Sequence, residues 1–418
     1  MLSPMVRLMA QTVLLTLGRL PKALDIARSF QAAGWRVIIA EPFGWHLTGL
    51  SRAVAKSFTV PAPNDGAEAY LSALLDLITA ESVSLIVPIS EETMHVAALH
   101  ERLPDGVTLL CPSQDKLLAL HDKWTFIEVA KSVGLPVPET ALLGTPEAEE
   151  LVASGPVVVK DRLGASGAHV QFVEQGGALP TRPGAIVQRR LNGREVSSLT
   201  MIRPRDGAVR HGSGSVRERS DGGETVSYRP VIRDGTVSTV FERLEDNDPD
   251  HQAVLDYIRT FSQVFSGTSF CGFDFIIGED GRAVAFECNP RANSGLHFWQ
   301  TADIAGALLD PDFRPRFKPK RLLQQLYPTL TLWWGSLGTW PRYRQIAKAL
   351  FSATDVSWSW RDPLPFILQT PATWPILKQA IFEGRPLGKA AIVDIGWFDH
   401  GMVEIDVPSE QVSTLHDA

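Results

Sequence analysis

Apolar runs alternate with amphipathic segments over the first quarter of the chain. The runs predict buried strands, at residues 12–17, 35–40, 84–89 and 108–111. The segments between them place apolar residues three to four positions apart and predict helices, at residues 21–33, 68–79 and 91–101. Strands that are apolar throughout and separated by helices favour an α/β fold with a parallel, doubly wound sheet.

The pattern changes after residue 114. Residues 115–133 predict one or two helices, which the Pro- and Gly-containing segment 134–138 closes. Strand signals that look antiparallel follow, at residues 156–160, 169–173, 185–188 and 195–201. Residues 211–231 look like a loop or loose hairpin, and residues 250–264 predict a helix. We therefore expect four regions, at residues 1–114, 115–187, 188–300 and 301–418.

The last region is rich in tryptophan and begins with a basic run. Five basic side chains lie within residues 314–321, and the tryptophans that follow are Trp333, Trp334, Trp340, Trp358, Trp360 and Trp374. A basic stretch beside tryptophans is one signature of contact with a membrane surface. No amphipathic heptad emerges, however, so we favour a helical extension that packs its aromatic residues on the core.

Composition bounds the class of protein. The 418 residues are 44% hydrophobic and 21% charged, which is ordinary for a globular protein. A net charge of −7 argues against nucleic acid as a main partner. No uncharged run is long enough to predict a membrane span. An odd number of cysteines, three, completes no disulfide framework and favours the reducing cytoplasm.

A predicted hairpin carries the most specific chemistry. Residues 270–277 form an apolar strand around Asp274, and a turn leads into a second strand that ends at Glu287 and Asn289. Their pairing would bring two carboxylates and an amide oxygen together, a cluster that suits Mg²⁺. Phosphate oxygens would complete the coordination of such an ion, and Arg291 could face the same phosphate. The alternative is that these acids lie on the solvent-exposed face of a hairpin. Burying a charge among such apolar neighbours is, however, costly in free energy unless the charge is paired or bound to a metal.

A second group of residues has the composition of a nucleotide site. Lys160 ends an apolar strand before a loop with Gly164 and Gly167, whose backbone N–H groups could close over phosphate oxygens. Gln188 lies seven residues before Glu195, across a turn. Backbone there could hydrogen-bond a purine edge, and the carboxylate could hold ribose hydroxyls. A surface turn and an exposed strand acid are the alternatives for these two motifs.

Residues 88–92, Pro-Ile-Ser-Glu-Glu, lie at the carboxyl edge of the first predicted sheet. Ligands bind at this edge in doubly wound folds. A helix start capped by Ser90, with acids in the first turn, explains the same residues equally well. Both interpretations stay open.

Taken in order, these motifs resemble those of the ATP-grasp superfamily. The resemblance extends over residues 115–298 and rests on Asp122-Lys123, Val159-Lys160, the loop 164–168, residues 188–195, Asp274, Glu287, Asn289 and Arg291. It implies a doubly wound N-terminal domain, an ATP-grasp core and a helical C-terminal extension. The loop has fewer glycines than the commonest family version, and Gln188 stands where an acid is more usual.

The resemblance also implies a role for each matching residue. Those that would contact and cover the nucleotide phosphates are Lys123, Lys160, Ser166 and Gly167. Those that would line the adenine and hold the ribose are Gln188, Arg189, Leu191 and Glu195. Those that would hold Mg²⁺, with Mn²⁺ as an alternative, are Asp274, Glu287 and Asn289. Arg291 and Lys160 would act in catalysis, with Arg291 on the transferring phosphoryl group or the acyl phosphate. The acceptor pocket would include Arg291, Asn293, Ser294, Gly295 and His297, although His297 could equally be a packing residue.

The implied activity joins a small carboxylate to an amine, with ATP as the source of energy and with release of ADP and phosphate. Small-metabolite or natural-product biosynthesis is the implied context, and a homodimer is a family-level expectation. Residues 289–297 are similar to a version of the motif found in members that act on small metabolites, which include amino acid and dipeptide ligases and the mycosporine-glycine synthase type. Residues 355–358 and 361–366 add a faint likeness to that last type, which activates an enol oxygen instead. A non-catalytic nucleotide-binding regulatory protein is a further alternative.

Overall fold

The computed structural model describes residues 11–164, 170–202, 224–234, 237–263, 265, 268–384 and 387–398. Within these residues the strands form three sheets. The first belongs to the N-terminal part of the chain, and the other two lie in its middle. The third sheet also takes in two short strands from the C-terminal part, which is otherwise mainly helical.

The first sheet is entirely parallel. Its strands are β1 (Thr12–Leu15), β2 (Arg36–Glu41), β3 (Lys56–Thr59), β4 (Val83–Val87) and β5 (Thr108–Leu109). The helices that accompany them are α1 (Pro21–Ala32), α2 (Ala67–Ala80) and α3 (Thr93–Val96). The strand order β3-β2-β1-β4-β5 confirms the predicted doubly wound sheet. The central strands β1, β2 and β4 are almost completely buried, which explains why their sequences are apolar throughout.

Two local features of this sheet differ from the sequence expectation. β3 is an edge strand of mainly exposed residues, Lys-Ser-Phe-Thr, so it has no apolar run by which to recognise it. The helix expected at residues 91–101 is shorter, and a 3-10 turn at Ala97–Leu99 follows α3. Helix α3 begins at Thr93 rather than at residue 91, because the carboxylate of Glu92 accepts hydrogen bonds from the backbone N–H groups of Ile89 and Ser90.

The second sheet has four antiparallel strands. They are β6 (Thr140–Leu142), β7 (Val157–Asp161), β8 (Gln171–Val173) and β9 (Ala185–Arg189), in the order β6-β9-β7-β8. Its neighbouring helices are α4 (Gln114–His121), α5 (Lys123–Ser132) and α6 (Pro146–Ser154). α6 covers one face of the sheet, because Ala148 and Leu151 pack against Val157, Val159 and Val187.

The third sheet is built around the predicted hairpin. Its strands are β10 (Arg194–Ile202), β11 (Val226–Asp234), β12 (Val237–Arg243), β13 (Ser269–Ile277), β14 (Ala283–Asn289), β15 (Leu322–Gln324) and β16 (Thr354–Asp355), and their order is β14-β13-β10-β11-β12-β15-β16. Helix α7 (Pro249–Phe261) packs on it, with the ring of Phe261 centred 5.1 Å from that of Phe273. Of the expected loop at residues 211–231, the part up to residue 223 lies outside the described residues, and the end belongs to β11.

The rest of the chain is a helical extension, as expected, apart from β15 and β16. Its helices are α8 (Ile304–Leu309), α9 (Leu326–Gly335), α10 (Trp340–Ser352), α11 (Leu364–Ile367), α12 (Gln369–Glu383) and α13 (Leu387–Ala390). The prediction that the tryptophans pack on the core is wrong for Trp334, Trp340, Trp360 and Trp374, which are exposed. Among the described helices, none is both long enough and apolar enough to cross a membrane.

Buried ion pairs fasten this extension to the first sheet. The guanidinium of Arg19, in the connection between β1 and α1, binds Glu41 at 2.5 Å and Asp394 at 2.7 Å. Arg28, in α1, binds Asp362 at 2.9 Å. The pairs with Asp394 and Asp362 join residues more than 300 positions apart, so the two ends of the described chain are packed against each other.

We expect Gly193→Ala to destabilise the fold. Gly193 lies between β9 and β10 with a φ of +152°, and an added Cβ would lie 2.2 Å from the carbonyl oxygen of Ile277. Backbone strain and overlap with a paired strand should together lower the free energy of unfolding by about 3 kcal/mol. Gly34 is the matched control, because its φ is +86° and an added Cβ meets nothing within 4 Å. Gly34→Ala should cost only about 1 kcal/mol, and equal losses in urea unfolding curves would contradict the account.

Candidate active site

The predicted hairpin is formed by β13 and β14, and it brings the oxygen-bearing side chains together. Asp274 pairs with Glu287 in the strand register, and Gly272 pairs with Asn289. Ser197, on the adjacent strand β10, donates a hydrogen bond of 2.6 Å to Oδ1 of Asp274. Nδ2 of Asn289 donates to the other carboxylate oxygen at 3.3 Å. The two carboxylates and the amide line one cavity, as the sequence predicts.

The pKa values of the two carboxyl groups reflect their burial and mutual repulsion. Burial, with the charge of Glu287, raises the pKa of Asp274 to about 6. Burial alone would also raise the pKa of Glu287, but Lys123 and Lys160 outweigh it and hold that pKa below its ordinary value. The cluster thus depends on nearby positive charge, which is the property expected of a cation-binding site.

Both predicted lysines reach this cluster. Asp122 caps α5 by accepting a backbone N–H bond of 3.0 Å, which fixes Lys123 at the first position of the helix. Nζ of Lys123 lies 3.7 Å from Oε1 of Glu287. Lys160, in β7, donates to the carbonyl oxygen of Phe286 at 3.1 Å, and burial lowers its pKa to about 8. Two ammonium groups in a partly desolvated site suit a phosphate ligand.

Arg291 connects the cluster to the first sheet. Its guanidinium donates to Oδ1 of Asn289 at 3.2 Å and forms a buried ion pair with Glu91, which follows β4. Oε2 of Glu91 and Nε of Arg291 have no hydrogen-bond partner within the described part of the chain. Buried polar atoms are seldom left unpaired, so these two are available to a ligand.

A first cavity of about 450 Å³ opens over the cluster. Its wall includes all four residues that the resemblance assigns to adenine and ribose: Gln188, Arg189, Leu191 and Glu195. The side chain of Gln188 donates to Oγ1 of Thr140 at 3.1 Å, and that of Arg189 donates to Oγ of Ser154 at 2.6 Å. Both side chains are thus engaged elsewhere. The backbone N–H groups of Arg189 and Arg190 also donate, to the carbonyl oxygens of Glu139 at 2.8 Å and Pro156 at 3.0 Å.

The remaining predicted parts of the nucleotide site are Glu195 and the loop that contains Ser166 and Gly167. Glu195 lines the first cavity and forms an ion pair with Arg233, another residue of the wall. Ser166 and Gly167 lie outside the described residues. The carbonyl oxygen of Gly164, where the loop begins, accepts a hydrogen bond of 2.9 Å from Nζ of Lys123. The start of the loop is therefore tied to one of the two lysines.

A second cavity, of about 250 Å³, adjoins the first. Arg291, Asn293 and Ser294 line both cavities. Other polar side chains of its wall come from distant parts of the chain: Arg19, Lys22, Glu91, His297, Asp355 and Ser357. The three shared residues mark the place where ligands in the two cavities would meet.

His297 lies in the wall of the second cavity in a fixed orientation. Its Nδ1 is 2.7 Å from Oδ2 of Asp25. Burial would raise the pKa of Asp25, but Lys318 and His297 lower it to about 2, so this carboxylate only accepts hydrogen bonds. A neutral His297 ring therefore carries its proton on Nδ1 and has Nε2 as an acceptor.

Asn293 and Gly295 shape the turn that carries Ser294 and His297. Oδ1 of Asn293 accepts the backbone N–H of Gly295 at 2.9 Å and caps the 3-10 turn Ser294–Phe298. An added Cβ on Gly295 would lie 2.6 Å from Cβ of Leu199, so glycine is needed for this packing. The predicted contacts of Asn293 and Gly295 with a substrate stay predictions.

Several wall residues carried little or no signal in the sequence. Lys22, in α1, donates to the carbonyl oxygen of Ala292 at 2.6 Å, and burial lowers its pKa to about 7. Asp355, in β16, accepts the backbone N–H of Leu326 at 2.7 Å, and burial raises its pKa.

The segment 88–92, by contrast, is a candidate ligand-binding edge in the sequence, and its Glu91 lines the second cavity. The alternative of Ser90 as a helix cap is wrong, because no side-chain cap bond is formed at the start of α3.

The oxygen cluster fits Mg²⁺ as one part of a larger ligand set. Among the described residues, no three His, Cys, Asp or Glu side chains form a group that could hold a metal ion alone. Two carboxylates and an amide are a usual protein share when phosphate oxygens and waters complete the octahedron. The raised pKa of Asp274 agrees with this, because a divalent cation would offset the repulsion from Glu287.

Comparison with known proteins identifies the domain that holds the site. Residues 120–295 match the family model described as an ATP-grasp domain. The match includes the oxygen cluster, both lysines, Arg291 and the segment 188–195. A search of curated protein sequences gives no significant match.

Solved structures similar to this chain include a synthetase and two carboxylases. N5-carboxyaminoimidazole synthetase from Staphylococcus aureus has a TM-score of 0.56 and 15% identity, over 79% of this chain and 86% of that one. The biotin carboxylase domain of the Hydrogenobacter thermophilus 2-oxoglutarate carboxylase has a TM-score of 0.51 and 15% identity, over 68% and 64%. Biotin carboxylase from Campylobacter jejuni has a TM-score of 0.51 and 15% identity, over 68% and 66%. This chain spans just under two thirds of each carboxylase chain. Its middle region, residues 120–295, is therefore an ATP-grasp domain, which confirms the resemblance recognised in its motifs.

Proposed function

We propose that this protein is an ATP- and Mg²⁺-dependent ligase that activates a small carboxylate as an acyl phosphate and joins it to an amine. The observation that carries the proposal is a single cavity lined by Asp274, Glu287, Asn289 and Lys160. Nζ of Lys123 lies 3.7 Å from Oε1 of Glu287 and adds a second positive charge to this cluster. ATP and a carboxylate repel each other, and such a set of charges offsets that repulsion. We expect the reaction to take place in the cytoplasm, in the biosynthesis of a small metabolite.

The first cavity would bind the nucleotide. Lys123 and Lys160 would contact its phosphates, Glu195 its ribose, and the backbone of residues 188–191 its adenine. Mg²⁺ or Mn²⁺, held by Asp274 and its neighbours, would neutralise charge on the phosphates and on the transferring phosphoryl group. The loop that follows Gly164, with Ser166 and Gly167, would exclude water from the acyl phosphate.

The second cavity would bind the partners of ATP. A carboxylate oxygen attacks the γ-phosphorus, the bond to ADP breaks and an acyl phosphate forms. The amine then attacks the acyl carbon, phosphate leaves and the nitrogen loses a proton. Arg291 lines both cavities, and its charge would stabilise the negative charge of both transition states. The acceptor side would be completed by Asn293, Ser294, Gly295 and His297.

The similar solved enzymes support a nucleotide-dependent reaction. The synthetase from Staphylococcus aureus has been solved with ADP, and the Hydrogenobacter thermophilus domain with MgADP, ADP and bicarbonate. At 15% identity these enzymes resemble this chain in fold only, so they do not name its substrates. Bicarbonate is nevertheless one of the carboxylates to be tested.

A second candidate function is the phosphorylation of an enol or hydroxyl oxygen before amine addition. The observation that favours it is the position of Asp355 and Ser357, from the segment similar to the mycosporine-glycine synthase type, on the wall of the second cavity. Oδ1 of Asp355 accepts the backbone N–H of Ser357 at 2.8 Å. The two functions need the same nucleotide site and differ only in the atom that attacks ATP.

Release of ADP and phosphate from Mg-ATP, measured against a matrix of small carboxylates and amines with mass analysis, tests the proposal. A product whose mass equals both partners minus water supports the ligase. Release with an acceptor that lacks a carboxylate would replace it with the enol-activating function. Tight ATP binding without release under any combination would favour a non-catalytic regulatory protein.

We expect Asp274→Asn and Glu287→Gln each to lower turnover by about a hundredfold or more, because charge on the transferring phosphoryl group is no longer offset. Thermal unfolding should change little or shift upward for Asp274→Asn, which removes repulsion from Glu287. It should shift downward for Glu287→Gln, because the ammonium groups of Lys123 and Lys160 lose the charge that offsets them. Asp280→Asn, in the exposed turn of the same hairpin, is the matched control and should retain full turnover. Wild-type turnover in both site variants would exclude the metal assignment.

We expect Lys160→Met to weaken ATP binding by about tenfold to a hundredfold, the share of one charge-assisted hydrogen bond. Isothermal titration calorimetry of Mg-ATP with the intact protein measures this directly. Lys131→Met, on the exposed face of α5, serves as the control and should leave the dissociation constant unchanged. Equal affinities for wild type and Lys160→Met would remove Lys160 from the nucleotide site.

A substitution in the second cavity should weaken binding of the partner substrate without weakening binding of ATP. We expect Asp355→Asn to raise the KM for the partner substrate at least about tenfold, because a buried charge on the cavity wall is removed. The dissociation constant of ATP should stay within about twofold, since Asp355 lines only the second cavity. Asp310→Asn, at an exposed position, is the control. Parallel loss of ATP affinity would show that the cavities do not act separately.

A further inference from the structure

Large apolar side chains are exposed mainly in one part of the molecule. Of the fourteen such side chains among the described residues, ten lie between Trp334 and Phe382. The most continuous group is on the helical hairpin formed by α9 and α10. There Trp334 is 64% exposed, Trp340 63% and Phe351 81%, and Leu337 lies between the helices. Contiguous apolar surface of this kind marks a site of interaction.

The sequence of α10 places its aromatic residues on the side away from the core. Trp340, Arg344 and Phe351 recur at a spacing of four and seven residues and share one face of the helix. The opposite face is buried, where Ile346 and Ala349 pack against β11 and β12. The apolar stripe of Trp340 and Phe351 therefore lies outside this buried contact.

Ring contacts hold these residues as one surface. The ring of Trp333 is centred 5.2 Å from Tyr343 and 5.6 Å from Trp334. Tyr343 in turn stacks on Trp340 at 5.5 Å, and Phe351 lies 6.5 Å from Trp333. We call the exposed side of this group, together with Arg344 and Lys348, the aromatic face.

The charge around the aromatic face is positive in an otherwise acidic protein. Residues 313–354 contain eight Arg and Lys residues and no Asp or Glu, although the whole chain has a net charge of −7. Four of the eight bind acids from other segments: Arg314, Arg316, Lys318 and Arg321. Arg342, Arg344 and Lys348 are exposed and form no ion pair with any acidic side chain that the structure describes. Their positive charge is therefore open to an external partner.

The positive charge of this face favours an anionic bilayer over a second copy of the chain as its partner. A second copy placed on it by a two-fold axis would bring Arg344 and Lys348 toward the same residues of its partner, and the segment 313–354 has no acid to offset them. A bilayer with anionic headgroups supplies the missing negative charge. It also offers the interface at which tryptophan side chains are preferentially found, apolar body inward and indole N–H toward water.

We propose that the aromatic face binds the surface of an anionic membrane. Trp334, Trp340 and Phe351 would enter the boundary between headgroups and acyl chains, and Arg344 and Lys348 would contact the phosphates. The proposal is independent of the proposed ligase activity. α9 contributes Tyr327 and Pro328 to the wall of the second cavity, so binding would hold that cavity close to the membrane.

The intact protein would be sedimented with vesicles of phosphatidylcholine alone and with vesicles of phosphatidylcholine and phosphatidylglycerol in equal parts. We expect binding to the anionic vesicles only, with a strong decrease at high salt. The double variant Trp340→Ser/Phe351→Ser should bind at least about tenfold more weakly. Arg344→Gln/Lys348→Gln should lose about fivefold for each charge removed.

Trp45→Ser is the matched control, because Trp45 is 50% exposed but lies beside the first sheet. It should bind the vesicles like the wild type, and all variants should retain the wild-type circular dichroism and melting temperature. Absence of binding to anionic vesicles, or equal binding of wild type and Trp340→Ser/Phe351→Ser, would overturn the proposal. Self-association that this double variant abolishes, without vesicle binding, would overturn it in favour of an interface between copies.

Discussion

Two half-buried carboxylates on neighbouring strands are the constraint on which the rest of this structure depends. Asp274 and Glu287 lie opposite each other in the register of β13 and β14, in surroundings that would not tolerate either charge alone. The cations that offset them come from three separate places: Lys123 at the start of α5, Lys160 in β7, and Arg291 after β14. The second and third sheets are thus held together across the cluster by charge as well as by apolar packing.

Arg291 extends this arrangement beyond the ATP-grasp domain. Its ion pair with Glu91 reaches the carboxyl edge of the first sheet, where doubly wound folds bind their ligands. The same guanidinium lies on the boundary between the two cavities. A ligand that changes the charge on one side of Arg291 therefore changes the field felt on the other side. This gives the two cavities a direct electrostatic connection, without any movement of the backbone.

Sequence patterns report neighbours within one element or one hairpin, and this explains what could be predicted. The apolar runs of β1, β2 and β4 and the pairing of Asp274 with Glu287 are local features, so they could be read directly. Lys22 and Asp355 meet in one cavity only because distant segments pack together, and no local pattern carries that information. Trp340 was expected in the core because it is apolar, but the buried face of α10 is set by Ile346 and Ala349 instead.

The pairing of Arg19 with Asp394, and of Arg28 with Asp362, has a consequence for how the protein is made. Synthesis proceeds from the N-terminus, and domains generally fold as they emerge. The oxygen cluster and both lysines lie before residue 300, so the first cavity can form while translation continues. The wall of the second cavity includes Asp355 and Ile392, which are translated later. A nascent chain would therefore complete the first cavity before it has the full wall of the second.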